Sequence, residues 1–267
     1  MSPQFVDWNG DGHLDIVAGT FSGSPYVALG GEKGFTPPVE ILDAKGQRIV
    51  INQFWNLETK QWDSTDRCNP KEGGLAKGHL TSAFAHDWDG DGDLDLLLGD
   101  YDAGHLYLRL NAGTADKPAF ESVNRTLLSE GKPIHVGKMA TMRLLDVNND
   151  GLKDLLLGSM GDTYGSGPAG EVTLLRNVGT ASAPVFAGSE VLLRPTKSKT
   201  TTTMEMPAAG LYMDMADING DGLLDLVVGG YAFMAPGAGE KGEFNRKAGV
   251  WLALGTKSST GGGDKAK

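Results

Sequence analysis

Four nine-residue segments place oxygen donors in one pattern: Asp7-Trp-Asn-Gly-Asp-Gly-His-Leu-Asp15, Asp87-Trp-Asp-Gly-Asp-Gly-Asp-Leu-Asp95, Asp146-Val-Asn-Asn-Asp-Gly-Leu-Lys-Asp154 and Asp217-Ile-Asn-Gly-Asp-Gly-Leu-Leu-Asp225. Side-chain oxygens at positions 1, 3, 5 and 9 and the backbone carbonyl at position 7 converge on one point if the loop turns sharply. The glycine at position 6 permits that turn, because it tolerates positive φ. The side-chain ligands so implied are Asp7, Asn9, Asp11 and Asp15; Asp87, Asp89, Asp91 and Asp95; Asp146, Asn148, Asp150 and Asp154; and Asp217, Asn219, Asp221 and Asp225. The carbonyls are those of His13, Asp93, Leu152 and Leu223. Hard oxygen donors in this number suit Ca²⁺ better than Mg²⁺, which prefers a strict octahedron and keeps its waters. Up to four Ca²⁺ ions are therefore expected, with the all-carboxylate second loop the strongest site.

Two other readings are weaker. Asp-Gly and Asn-Gly pairs make hairpin turns, but a turn does not require donors at four fixed positions in every copy. An EF-hand shares the first half of the pattern yet needs a bidentate Glu at position 12. Position 12 here is Ala18, Leu98, Leu157 or Val228. Each loop instead runs into a short apolar stretch ending in glycine, such as Leu96-Leu-Leu-Gly99. That reads as a buried strand, because it is too short for a helix.

The elements that would hold these loops repeat with them. A short alternating segment precedes each loop, and a second strand follows each apolar run: Tyr26–Leu29, His105–Leu110, Val172–Arg176 and Val250–Leu254. A further strand follows in three copies, at Val39–Leu42, Arg125–Leu128 and Glu190–Leu193. Four antiparallel strands per unit, repeated without helical periodicity, predict an all-β fold, a β-propeller with its last blade incomplete. One domain is expected over 1–257, with blades at about 1–52, 81–135, 139–195 and 210–256 and a long insertion at about 53–80. The Ser/Gly/Lys segment 258–267 reads as a disordered tail.

With these motifs in place, the chain resembles the FG-GAP/VCBS repeat family of integrin α-subunit heads and many secreted bacterial proteins. The resemblance covers Pro3 to about Thr256. It implies that each aspartate loop joins the first and second strands of a blade and holds Ca²⁺. Family rings usually have more than four blades, so the sequence reads either as a small ring missing an outer strand or, the favoured reading, as an excerpt or processed form.

Composition narrows the function. With 34 acidic against 24 basic side chains and a net charge of −10, a nucleic-acid backbone binder is disfavoured, since phosphate contacts need a basic face. No run approaches the roughly 18 apolar residues of a membrane span. The lone Cys68 rules out an internal disulfide framework and a multi-cysteine zinc site. Calcium sites of sensor grade or weaker stay empty in the cytosol, so a secreted, extracellular or periplasmic setting is expected. Loop-borne function should lie on the rim opposite the aspartate loops, where the length variation falls. There Phe54, Trp55 and Trp62 form a possible ligand surface, either stacking on sugars or anchoring a protein, or else packing over a blade edge. Trp8 and Trp88 read as packing residues. The five histidines at 13, 79, 86, 105 and 135 show no metal-pair spacing, and Asn124-Arg-Thr126 fits a glycosylation sequon.

The expected function is non-catalytic binding or adhesion to a protein or glycan. The alternative is a calcium-dependent polysaccharide lyase or glycoside hydrolase, which would need a cluster such as Lys241, Glu243 and Arg246 with Tyr164 or Tyr231.

Overall fold

Each aspartate loop joins two antiparallel strands, and each such pair is the inner half of a blade. The computed structural model describes residues 2–69, 78–161, 168–194, 207, 209–234 and 245–256. The first blade holds β1 (Pro3–Val6), β2 (Asp15–Gly19), β3 (Pro25–Ala28) and β4 (Val39–Glu40). A separate hairpin, β5 (Gln53–Asn56) and β6 (Gln61–Ser64), occupies the insertion. The second blade holds β7 (Leu80–His86), β8 (Asp95–Asp100), β9 (Leu106–Arg109) and β10 (Arg125–Thr126). Two short strands, β11 (Leu128–Ser129) and β12 (Lys132–Pro133), then join the outer edge of the third blade, which holds β13 (Thr141–Leu145), β14 (Asp154–Gly158), β15 (Val172–Asn177) and β16 (Phe186–Leu193). The last blade has three strands, β17 (Ala209–Ala216), β18 (Asp225–Met234) and β19 (Asn245–Ala253).

The four sheets form a four-bladed β-propeller, with no helix among the described residues. The inner strands meet around the axis. Gln4 of β1 exchanges two hydrogen bonds with Ala85 of β7, at 2.9 and 2.7 Å. Arg143 of β13 reaches Asp214 of β17 at 3.1 Å and Ser2 Oγ at 2.9 Å, and lies over the Phe84 ring.

Three apolar cores lie between consecutive blades. Val17 and Val27 of the first pack with Leu96, Leu98 and Tyr107 of the second. Leu97 and Leu108 of the second pack with Leu155, Leu157 and Leu175 of the third. Leu156 and Leu174 of the third pack with Leu226 and Val228 of the last. A continuous apolar run in β8 and β14 is thus explained, since both faces of those blades are covered. The two end faces are open: Phe5 on the first blade is 61% exposed and Val250 on the last is 75% exposed.

β2 and β14 end at the glycine after the apolar run, whereas β8 and β18 continue past it. In the first three blades that glycine lets the next inner strand approach. A Cβ on Gly19 would lie 2.5 Å from Ser82 Cα, one on Gly99 would collide with Ala140 O, and one on Gly158 would lie 2.5 Å from Leu211 O. At Gly229 in the last blade the nearest atom is Tyr212 O of its own sheet, at 3.8 Å. β19 begins at Asn245, ahead of the Val250 start read from the sequence, because the β18–β19 hairpin pairs out to Met234 and Asn245.

Candidate functional site

The four aspartate loops share one internal geometry. The position-1 aspartate accepts the position-6 glycine N–H in every copy, at 3.0, 3.1, 2.8 and 2.9 Å for Asp7, Asp87, Asp146 and Asp217. The position-5 aspartate accepts the N–H of position 7, which turns that residue's peptide inward. Positions 4 and 6 both take positive φ: 72° and 86°, 79° and 94°, 59° and 87°, and 77° and 84° along the chain. Asn149 is the one non-glycine among these eight, and asparagine tolerates the left-handed region better than most residues.

Position 9 has a role that spacing alone does not reveal. Asp15, Asp95, Asp154 and Asp225 are fully buried. One oxygen of each accepts the N–H of position 2, at 2.8, 2.8, 3.4 and 2.9 Å. The other accepts the N–H of Gly30, Asn111, Asn177 or Gly255, at the end of the blade's third strand or just beyond it, at 2.6, 2.7, 2.9 and 2.8 Å. These carboxylates latch the loop to the sheet while keeping lone pairs free.

The loops differ in how much of their own charge they satisfy. In the three that carry asparagine at position 3, the amide donates to the position-5 carboxylate, at 3.0, 2.9 and 2.9 Å. That amide and the His13 or Leu152 N–H hold Asp11 and Asp150 below the ordinary carboxylate pKa, the backbone N–H contributing most. The second loop has Asp89 there instead. Asp89 Oδ1 and Asp93 Oδ1 are buried without a hydrogen-bond partner. Oxygens of Asp87, Asp89 and Asp95 lie within 4.8 Å of one another. Burial, more than the neighbouring carboxylates, raises Asp93 and pushes Asp95 up to about 6 despite two N–H donors. Crowded, under-compensated oxygen donors of this kind fit a hard divalent cation.

On the opposite rim, five rings cluster between the first and second blades. His79 stacks on Tyr101 at 4.8 Å between centroids and meets Phe21 and Trp62 at 4.9 Å each. Trp55 joins through Trp62, its cross-strand partner, at 5.9 Å. Phe21 and Trp62 remain about half exposed, while His79 is buried. Burial holds the His79 pKa below its usual value; its Nδ1 lies 3.4 Å from Asp102, and its Nε2 has no partner. Phe54 does not join the cluster, because the Arg48 guanidinium covers its ring at 4.9 Å. Reading the sequence alone missed Phe21, His79 and Tyr101. A signal for two of them exists: a large side chain recurs two residues after each blade glycine, at Phe21, Tyr101, Met160 and Tyr231. Tyr101 and Asp102 also begin a cleft of about 830 Å³ between the second and third blades, whose polar wall includes His135, Lys138, Glu171 and Arg194.

Other sequence candidates resolve individually. Trp8 and Trp88 are buried against Phe120 and Phe186. Asn124 is fully buried, donating to Val50 O and accepting from Arg109, so the sequon is closed to glycosylation in the folded chain. Cys68 is a buried free thiol whose carbonyl accepts the Asn124 N–H. Of the suggested catalytic cluster, Tyr164, Lys241, Glu243, the Arg246 side chain and the tail 258–267 lie outside the described residues.

Comparison with known proteins agrees with this architecture. A family model described as FG-GAP-like repeat matches residues 87–157 and 146–228, together more than half of the chain. The chain belongs to the FG-GAP-like repeat family. The two matched spans run from one aspartate loop to the apolar strand after the next, so this repeat's unit is the loop-and-strand register itself. No curated protein matches the chain. A solved structure described as the basis of specific recognition of non-reducing terminal N-acetylglucosamine by an Agrocybe aegerita lectin is similar at 16% identity, covering 94% of this chain and 70% of that one, with a TM-score of 0.34. A likeness that slight carries no argument about ligand.

Proposed function

We propose that this FG-GAP-like propeller is a calcium-stabilised, non-catalytic binding module, working outside the cytosol and recognising a glycan or protein on the rim opposite its aspartate loops. The observation that carries the reading is the contrast between the rims. One repeats the same acidic loop four times, and the other gathers Phe21, Trp55, Trp62, His79 and Tyr101 from unlike segments into a half-exposed aromatic patch. The repeated rim is suited to a structural ion, because each donor set is contiguous and leads directly into a core strand. The variable rim is suited to recognition, because aromatic faces supply contact area at low entropic cost. The neighbouring cleft offers carboxylate, ammonium and hydroxyl groups for orientation.

A glycan array read together with product analysis tests this. Retention of a ligand without release of fragments, lost on Trp62→Ala while the fold persists, supports the module. Steady release of oligosaccharides would replace it with the lyase or hydrolase reading.

A further inference from the structure

The third aspartate loop differs from the others at one neighbouring residue. The residue just before Gly30, Asn111, Asn177 and Gly255 is Leu29, Leu110, Arg176 and Leu254 respectively. Three repeats set a leucine beside the loop, and one sets an arginine. Arg176 Nη1 donates to Asp154 Oδ2 at 2.8 Å, and the Asp154 side chain is fully buried. That oxygen holds the Val147 N–H at only 3.4 Å, whereas the matching bonds of Trp8, Trp88 and Ile218 are 2.8, 2.8 and 2.9 Å. Glu190, 3.8 Å from Nη2, steadies the guanidinium from the other side. Arginine does not lose its charge at any ordinary pH.

A divalent ion bound through Asp154 would therefore sit close to a fixed positive charge that already uses the same oxygen. Like charges a few ångströms apart repel strongly in a partly buried site. We propose that Arg176 is a built-in cation for the third loop, neutralising Asp154 in place of part of a metal's charge. The loop then keeps its shape without calcium and binds it far more weakly than the other three. This rests on the calcium reading of the loops.

Calorimetric titration and native mass spectrometry of the full chain with Ca²⁺ test the proposal, comparing the natural chain with Arg176→Leu, the residue of the other repeats. The natural chain should take three ions tightly and the fourth at least tenfold more weakly. Arg176→Leu should bring the fourth within about threefold of the rest, and should lower the melting temperature in chelator but not in excess calcium. Arg176→Gln, which keeps a donor and removes the charge, should also strengthen the fourth site and serves if the leucine variant does not fold. Four equivalent sites in the natural chain, or a fourth site unchanged in the variants, would overturn the role of Arg176 while leaving the calcium reading intact. No binding at any loop would overturn the calcium reading itself.

Discussion

The buried position-9 aspartates show how one residue serves both loop and sheet. Replacing Asp225 by alanine would leave the Ile218 and Gly255 N–H groups without their acceptor. Both bonds are partly buried, and donors stranded there cost about 1 kcal/mol each, the low end for buried groups, so Asp225→Ala should destabilise the metal-free protein by about 1–2 kcal/mol in denaturant titration. The aspartate pattern was readable from spacing. The latch was not, because its second partner lies 15 to 30 residues away across a whole strand. His79 supports a prediction about acid. It is buried neutral, and burial holds its folded pKa below the ordinary histidine value of 6.5. Between those two values the unfolded chain binds more protons than the folded one, so this contribution to stability is intact above about pH 6.5 and lost as pH falls through the folded pKa. Of the charged groups facing it, Asp102 at 3.4 Å opposes the shift. Asp100, behind Gly78, is raised by its own burial and acts with the opposite sign. A comparison with His79→Phe removes the Asp100 contribution. The natural chain should lose melting temperature relative to the variant from pH 7.5 to 5; parallel curves would contradict the assignment.

At the scale of the strand, the blade glycines set how closely neighbours stack. Gly99→Ala should drive a methyl into Ala140 O of the next inner strand and cost about 3 kcal/mol, at the upper end for overpacking. Gly229→Ala, at the same repeat position but with only Tyr212 O of its own sheet near the added methyl, should cost less than about 1 kcal/mol. Equal losses in the two variants, measured by denaturant unfolding, would refute the packing role. The sequence made these glycines visible as ends of apolar runs. Their purpose depends on the neighbouring blade, which the periodicity of a single strand cannot display. The same limit applies to the β5–β6 hairpin and to β11, which leaves the second blade's outer edge to pair with β16. Short strands such as β4 and β10 carry too few residues for alternation to mark their ends. The repeat itself was legible because its loops recur in frame, and with it the four blades and the three-stranded last sheet.

At the scale of the whole molecule, four sheets stack through three apolar cores and present two unlike rims. Metal-free, the repeated rim concentrates carboxylates that contribute much of the net charge of −10; four Ca²⁺ ions would offset eight of those charges. The aromatic rim was only partly foreseen. Trp55 and Trp62 stood out by residue type, but their companions come from the β2–β3 loop, the segment before β7 and the β8–β9 loop, which only the propeller brings together. The central claim is that calcium staples the blades. Each occupied site should contribute roughly 2.7 kcal/mol at a hundredfold excess over its dissociation constant, and about 2–4 °C follows per kcal/mol in a chain of this size. A thermal melt in excess Ca²⁺ and in chelator measures this directly. A midpoint at least about 10 °C higher with calcium is predicted, and a midpoint that chelation leaves unmoved would contradict the account.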